Sequence, residues 1–139
     1  MRERRRRDAV EPWAREMWER DGASRLLGME LLEARPGRAV VRMTVRADMV
    51  QGHGTMHGGL LFSLADTAFA FCCNGPDTVV VGSSADITWM TAGREGDVLV
   101  AEAVEEITYG RNGVTRVRIE REGDGAAVAL FQGRSRRVG

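Results

Sequence analysis

The chain has no net charge to offer a partner: 20 Asp and Glu balance 20 Arg, and lysine is absent. A balanced chain has no global field that would draw in nucleic acid or an anionic membrane, so neither is expected as a partner. The use of Arg alone says nothing firm about function. Long apolar runs are missing too. The longest falls well short of the roughly 20 residues of a membrane span and contains Asp66, which argues against a span. Cysteine is scarce. Cys72 and Cys73 are adjacent, neighbouring cysteines rarely bridge, and no CxxC pattern suggests zinc or redox chemistry. Two free thiols in an apolar segment suit a reducing compartment, and the cytoplasm is the expected location. The basic run from Arg2 to Arg7 is not followed by an apolar core, since Asp8 to Arg25 is amphipathic, so no signal peptide is expected. No repeat, linker or low-complexity segment is visible.

What remains is one domain of 139 residues, large enough to bury a core without staples. Residues 9–20 place Val10, Trp13, Ala14 and Met17 at helical spacing, with Pro12 tolerable only in the first turn. "DGAS" then breaks the pattern. "MELLEARPG" and "GRAVVRMTVRAD" read as paired antiparallel strands, the second with Ala39, Val41, Met43 and Val45 on its inner face. From Gly59 to Cys73 alternation stops; Leu, Ala and Phe dominate, and the run reads as a helix buried nearly all round. "TVVVGSSADITWM", "DVLVAEAVEEITY", "VTRVRIERE" and "AAVALFQGRSRR" follow as four strands in meander order, with "GRNG" as an Asn-Gly hairpin signal. The sum is an α+β fold: a strongly curved antiparallel sheet wrapped around a central helix. The "RERRRR" start reads as a solvated terminus rather than a nucleic-acid arm, because no recognition module follows it.

Asp66 is the only formal charge between Asp48 and Asp77. Burying a carboxylate costs several kcal/mol unless it is paired or neutralised, so chance placement is a poor explanation. Three readings stay open: a structural carboxylate satisfied within the fold, a bystander at a subunit interface, or a catalytic nucleophile or base in a partly dry cleft. The preceding "HGTMHGG" favours the last. Free N–H groups at a helix N-terminus form an anion site, and glycine lets a substrate oxygen approach the backbone, so Gly58 or Gly59 would meet a developing oxyanion. Asp66 lies about two helical turns further on. His53 and His57 are spaced i, i+4, but flanking glycines argue against a helix there and no third ligand completes a metal site. No metal or cofactor is expected. Ser63 lacks a GxSxG setting and an obvious base, while Cys72 and Cys73 read as inert packing. Phe62, Phe69, Phe71 and Trp89 fall near the proposed pocket; most are expected in the core, and any could meet an aryl group.

At "HGGLLFSLADTAFAF" and "VALFQGRSRRVG" the sequence resembles the hotdog-fold acyl-CoA thioesterases, and within them the PaaI (phenylacetic acid degradation) family. The likeness runs from about Trp13 to Gly139. It implies a six-stranded sheet around the helix, residues 1–22 as a basic arm and amphipathic helix, and residues 23–139 as the hotdog thioesterase domain. It also implies a homodimer that forms the site, commonly doubled to a homotetramer, and hydrolysis of arylacetyl-CoA thioesters without a metal. Carried over residue by residue, Asp66 matches the family's nucleophile or base, Gly58 the glycine whose N–H polarises the carbonyl, and His57 the residue holding that loop. Gln51 stands where such sequences usually carry Asn, keeping the amide with one more methylene; its implied role is to orient water or the thioester. Ser83 or Ser84 would supply a hydroxyl from the facing subunit. Arg111, Arg134, Arg136 and Arg137 are candidates for the anionic nucleotide part of CoA.

Two other functions fit the same fold. A dehydratase or hydratase would need a His as base, and His57 sits instead on the oxyanion loop. A non-catalytic acyl-CoA sensor using the basic arm on DNA would need a recognition helix and would have no use for Asp66.

Overall fold

A computed structural model describes residues 9–139; the "RERRRR" arm lies outside the described residues. The elements are α1 (Pro12–Glu19), α2 (Gly22–Leu26), β1 (Glu30–Arg35), β2 (Arg38–Thr44), α3 (Gly58–Cys73), β3 (Val80–Trp89), β4 (Val98–Tyr109), β5 (Asn112–Arg121) and β6 (Ala127–Arg137). A single antiparallel sheet has the order β1-β2-β4-β5-β6-β3, and α3 packs against all six strands. This is the expected hotdog arrangement.

Alternation fixed the inner face of the strands. Ala39, Val41 and Met43 of β2, Leu99, Ala101 and Ala103 of β4, and Val117 and Ile119 of β5 are fully buried against α3. One side of α3, with Leu61, Leu64, Ala65, Ala68, Phe69, Phe71 and Cys72, closes the core. Phe69 comes close to the sheet because the backbone beneath it is bare: a Cβ on Gly133 would lie 2.8 Å from its ring, and one on Gly82 3.1 Å.

Several local readings are corrected. Val10 is not helical. Pro12 drives the residue before it into extended backbone, Glu11 is at φ −66°, ψ 154°, and Val10 bridges Ala34 as a short parallel addition to β1. "DGAS" follows the end of the first helix at Glu19, as expected, but also starts a second: Asp21 accepts the Ser24 N–H at 2.9 Å and the Ser24 hydroxyl at 2.7 Å, the chemistry of an N-cap. The last four strands are not a simple meander. β4, β5 and β6 are joined by tight turns, but β3 pairs with β6 at the far edge of the sheet, and residues 90–97 carry the chain back across to β4 beside β2. The β4–β5 turn is centred on Gly110 and Arg111, since Tyr109 already pairs with Asn112. Gly110 supplies the positive φ of +57° such a two-residue turn needs at its first position. Gly113 is bare for another reason, as a Cβ there would sit 2.9 Å from Ser135 Oγ.

The central helix is also less enclosed than its composition suggests. Gly59 and Asp66 are exposed, and Phe62, Ser63, Ala70 and Cys73 are half-buried, so one stripe of α3 remains open in the single chain.

Candidate active site

The site is built at the N-terminus of α3. After β2 a 3₁₀ turn (Ala47–Met49) leads into the loop 50–57. Gln51 organises this loop: its Oε1 accepts the His53 N–H, its Nε2 donates to Thr55 Oγ1 at 2.7 Å, and its backbone N–H meets Thr55 O at 2.9 Å. Among the described residues, one amide N–H and one lone pair of the Gln51 side chain have no partner. His57 is then pinned by its N–H to Met49 O at 2.8 Å. It is the N-cap of α3, with Nδ1 accepting the Gly59 N–H at 2.9 Å.

This cap separates the two candidate oxyanion donors. The Gly59 N–H is occupied by His57, whereas the Gly58 N–H has no acceptor among the described residues. Of the two candidates, only the Gly58 N–H is thus unengaged among the described residues, at the positive end of a 16-residue helix. Beside it lies a groove of about 320 Å³ between Met56, Leu61, Trp89 and Met90. The Trp89 indole covers Gly58, and its Nε1 donates to the Gly58 carbonyl at 3.1 Å. Phe69 and Phe71 are core residues and Phe62 packs edge-on against Phe131, but Trp89 is 55% exposed.

Asp66 projects from the open stripe of the same helix. Among the described residues it has neither an ion-pair nor a hydrogen-bond partner. It is exposed in the single chain, yet the apolar helix surface behind it desolvates the carboxyl and pushes it above the ordinary carboxylate range. Such an acid is neither locked in a structural pair nor fully solvated. Ser63, one turn before it, donates to the Gly59 carbonyl at 3.0 Å, a bond within the helix and not the setting of a nucleophile.

The remaining predicted residues lie elsewhere. Ser83 is the extra residue of a bulge in β3, between the Gly82–Ser135 and Ser84–Arg134 pairs. Its hydroxyl donates to Arg134 O at 3.1 Å, and Ser84 Oγ accepts from the Arg134 guanidinium at 3.4 Å. Both serines are exposed on the edge strand. Arg111 and Arg137 rim a cavity of about 370 Å³ at the opposite end of α3, walled by Cys72, Cys73, Glu105 and Ser135. Burial, then the charge of Glu105, pushes both thiols up to about 12, which makes them the inert groups expected. Glu105 went unnoticed in the sequence, although it holds the inward parity of β4 after Ala101 and Ala103; burial raises its carboxyl as well. Arg136 is exposed near the chain end.

The sequence model of the thioesterase superfamily matches residues 53–128, from the His53 loop through α3 to the start of β6. This chain belongs to the thioesterase superfamily. The thioesterase is 41% identical to the acyl-coenzyme A thioesterase PaaI of Escherichia coli over 91% of its own length and 89% of that protein. It is 42% identical to a putative esterase of Deinococcus radiodurans over 78% of this chain and 73% of the other. Among solved structures, the E. coli PaaI protein from the phenylacetic acid degradation operon superposes with a TM-score of 0.87, covering 91% of each chain. A variant of the phenylacetic acid degradation protein PaaI from Thermus thermophilus, 38% identical, gives 0.80 over 85% of this thioesterase and 100% of that chain. No helix among the described residues is long and apolar enough to cross a membrane.

Proposed function

We propose that this thioesterase hydrolyses arylacetyl-CoA thioesters, of the phenylacetyl-CoA or hydroxyphenylacetyl-CoA type, to the free acid and CoA in the cytoplasm. The observation that carries the reading is the presence on one helix of two groups without partners among the described residues: the desolvated carboxyl of Asp66 and the helix-terminal N–H of Gly58. The arylacetyl class rests on the 41% identity to PaaI and on that relative's place in a phenylacetic acid degradation operon.

In the proposed reaction the thioester carbonyl oxygen binds the Gly58 N–H. Asp66 either takes a proton from an attacking water and passes it to the CoA sulfur as the C–S bond breaks, or attacks the carbonyl carbon itself. Direct attack expels the CoA thiolate, which is protonated by water, and leaves a mixed anhydride that a second water hydrolyses to the free acid and regenerated Asp66. A positioned carboxylate base is worth about 10²–10⁴-fold and one oxyanion donor about 3 kcal/mol. Gln51 offers its free amide positions to the water or the thioester, and His57 holds the donor loop.

Geometry asks for a second copy of the chain. Eight residues of helix separate Gly58 from Asp66, about 12 Å along the axis. One carbonyl cannot meet both from the same chain. The site we propose therefore uses Gly58 of one subunit and Asp66 of another, with Ser83 or Ser84 approaching from the facing edge strand. The open stripe of α3 and the unpaired edge of β3 are the surfaces a homodimer would cover, and a homotetramer is the expected assembly. Arg111, Arg134, Arg136 and Arg137 would meet the CoA phosphates. Residues 23–139 are assigned to the catalytic domain and 1–22 to the arm and first helix.

The test is release of CoA thiol from phenylacetyl-CoA by wild type and by Asp66→Asn. A loss of about 100-fold or more in kcat with the fold intact supports the assignment; undiminished turnover by the variant rejects it.

A further inference from the structure

The site contains an exposed tryptophan that neither core packing nor the proposed chemistry accounts for. Trp89 is the last residue of β3, pinned by its pairing with Ala129 and, one and two residues on, by bonds from the Met90 and Thr91 N–H groups to Val128 O. Ile87, at the same parity, packs on the core, so Trp89 faces the helix from the strand end. Its indole lies directly on Gly58. A Cβ there would be 3.0 Å from Nε1 and 3.1 Å from Cε2, so any side chain at this position would press on the ring.

The Nε1–H bond to Gly58 O completes a pattern. The peptide joining Gly58 to Gly59 is held at both ends: its carbonyl accepts from Trp89 at 3.1 Å, and its N–H donates to His57 Nδ1 at 2.9 Å. Two consecutive glycines have more backbone freedom than any other pair. At a helix terminus, where the first N–H groups lack intrahelical acceptors, that freedom would blur the direction of the Gly58 N–H. Fixing the following peptide removes rotation on one side of the Gly58 Cα. On the other side the His57–Gly58 peptide, which carries the Gly58 N–H, is held by its carbonyl accepting the Leu60 N–H at 3.0 Å.

Resting on the reading of Gly58 as the oxyanion donor, we propose that Trp89 is a positioning residue: its indole N–H clamps the Gly58–Gly59 peptide and so aims the Gly58 N–H at the substrate. Preorganised donors act because they need no reorientation as charge develops. Trp89 never touches the reacting atoms. Its effect appears in turnover and not in binding.

The experiment replaces Trp89 by 3-benzothienylalanine, which keeps the bicyclic ring and substitutes sulfur for N–H, alongside Trp89→Phe. With phenylacetyl-CoA, the isostere is expected to lower kcat about 10-fold, a fraction of the roughly 10²–10³-fold lost when a donor is removed outright. KM should stay within about twofold, as befits an effect felt by the developing oxyanion, and Tm should fall by no more than roughly 4 °C, the loss of a single native hydrogen bond. A second readout is independent of turnover: amide hydrogen exchange at Gly59, protected in wild type by His57, should quicken about 10-fold in the isostere. Unchanged kcat with unchanged Gly59 protection overturns the proposal. So does a fall in kcat that appears only in Trp89→Phe, which would assign the effect to ring packing. A wild type inactive on acyl-CoA would refute the reaction, and the exchange measurement would still decide whether Trp89 clamps the peptide.

Discussion

The imidazole of His57 caps the helix that carries Asp66, its Nδ1 taking the Gly59 N–H at 2.9 Å. Because Nδ1 accepts here, the ring must present that nitrogen unprotonated. Asparagine is among the best N-cap residues and can offer an oxygen to the same N–H, whereas alanine cannot. His57→Asn is expected to keep wild-type stability within about 0.5 kcal/mol, and His57→Ala to lose about 1 kcal/mol in urea unfolding. Turnover should follow the same order, since an uncapped Gly59 leaves the donor loop loose.

Asp66 is expected to lower the stability of the thioesterase at neutral pH. Its folded-state carboxyl is raised by desolvation above the unfolded value, about 3.9. Below that value the group is protonated in both states and contributes nothing. As pH rises past it, the unfolded chain releases the proton more readily, so the folded state loses stability until the raised pKa is passed. Asp66→Asn, which carries no titrating proton, should therefore melt above wild type at pH 7, the gap closing as pH falls toward 3. A variant less stable than wild type at pH 7 would mean that the carboxylate has a favourable partner. The same shift predicts that the acid limb of the rate profile lies above the ordinary carboxylate range.

Phe69 depends on a missing side chain. A methyl on Gly133 would lie 2.8 Å from its ring, so Gly133→Ala is expected to cost about 1–3 kcal/mol by overpacking. Adding Phe69→Leu should recover part of that loss, and a double-mutant cycle in denaturant measures the coupling. Additive losses would show that the two sites do not meet.

Charge reversal at Arg111 or Arg134 should raise KM for the CoA ester and leave kcat nearly unchanged, with the effect fading at high salt. Steady-state kinetics at two ionic strengths checks this. Unchanged KM in both variants would remove these arginines from CoA recognition.

Much of this was legible in the sequence because periodicity reports burial directly. The inner residues of β2 and the extent of α3 follow from their patterns, and the candidate acid, Asp66, stood out as the lone charge across that region. Pairing partners did not show. β3 reads as a strand like its neighbours, and only the path of residues 90–97 sends it to the far edge beside β6. Local signals also competed. Asp21 carries cap chemistry inside what reads as a loop, and at the β4–β5 turn Gly110 turns the chain before the Asn-Gly pair is reached. Trp89 was obscure for a different reason: a large aromatic ring predicts burial, and nothing in a linear pattern reveals a glycine lying beneath it.

The two neighbouring sulfurs at the end of α3 bear on how this protein can be studied. With burial holding their protons up to about 12, hardly any of either thiol is ionised at pH 7, and it is the ionised form that reacts. A colorimetric disulfide reagent added to the reaction would thus count the coenzyme set free and pass over the protein's own side chains. The catalyst can be followed continuously, at high concentration, against an almost silent background.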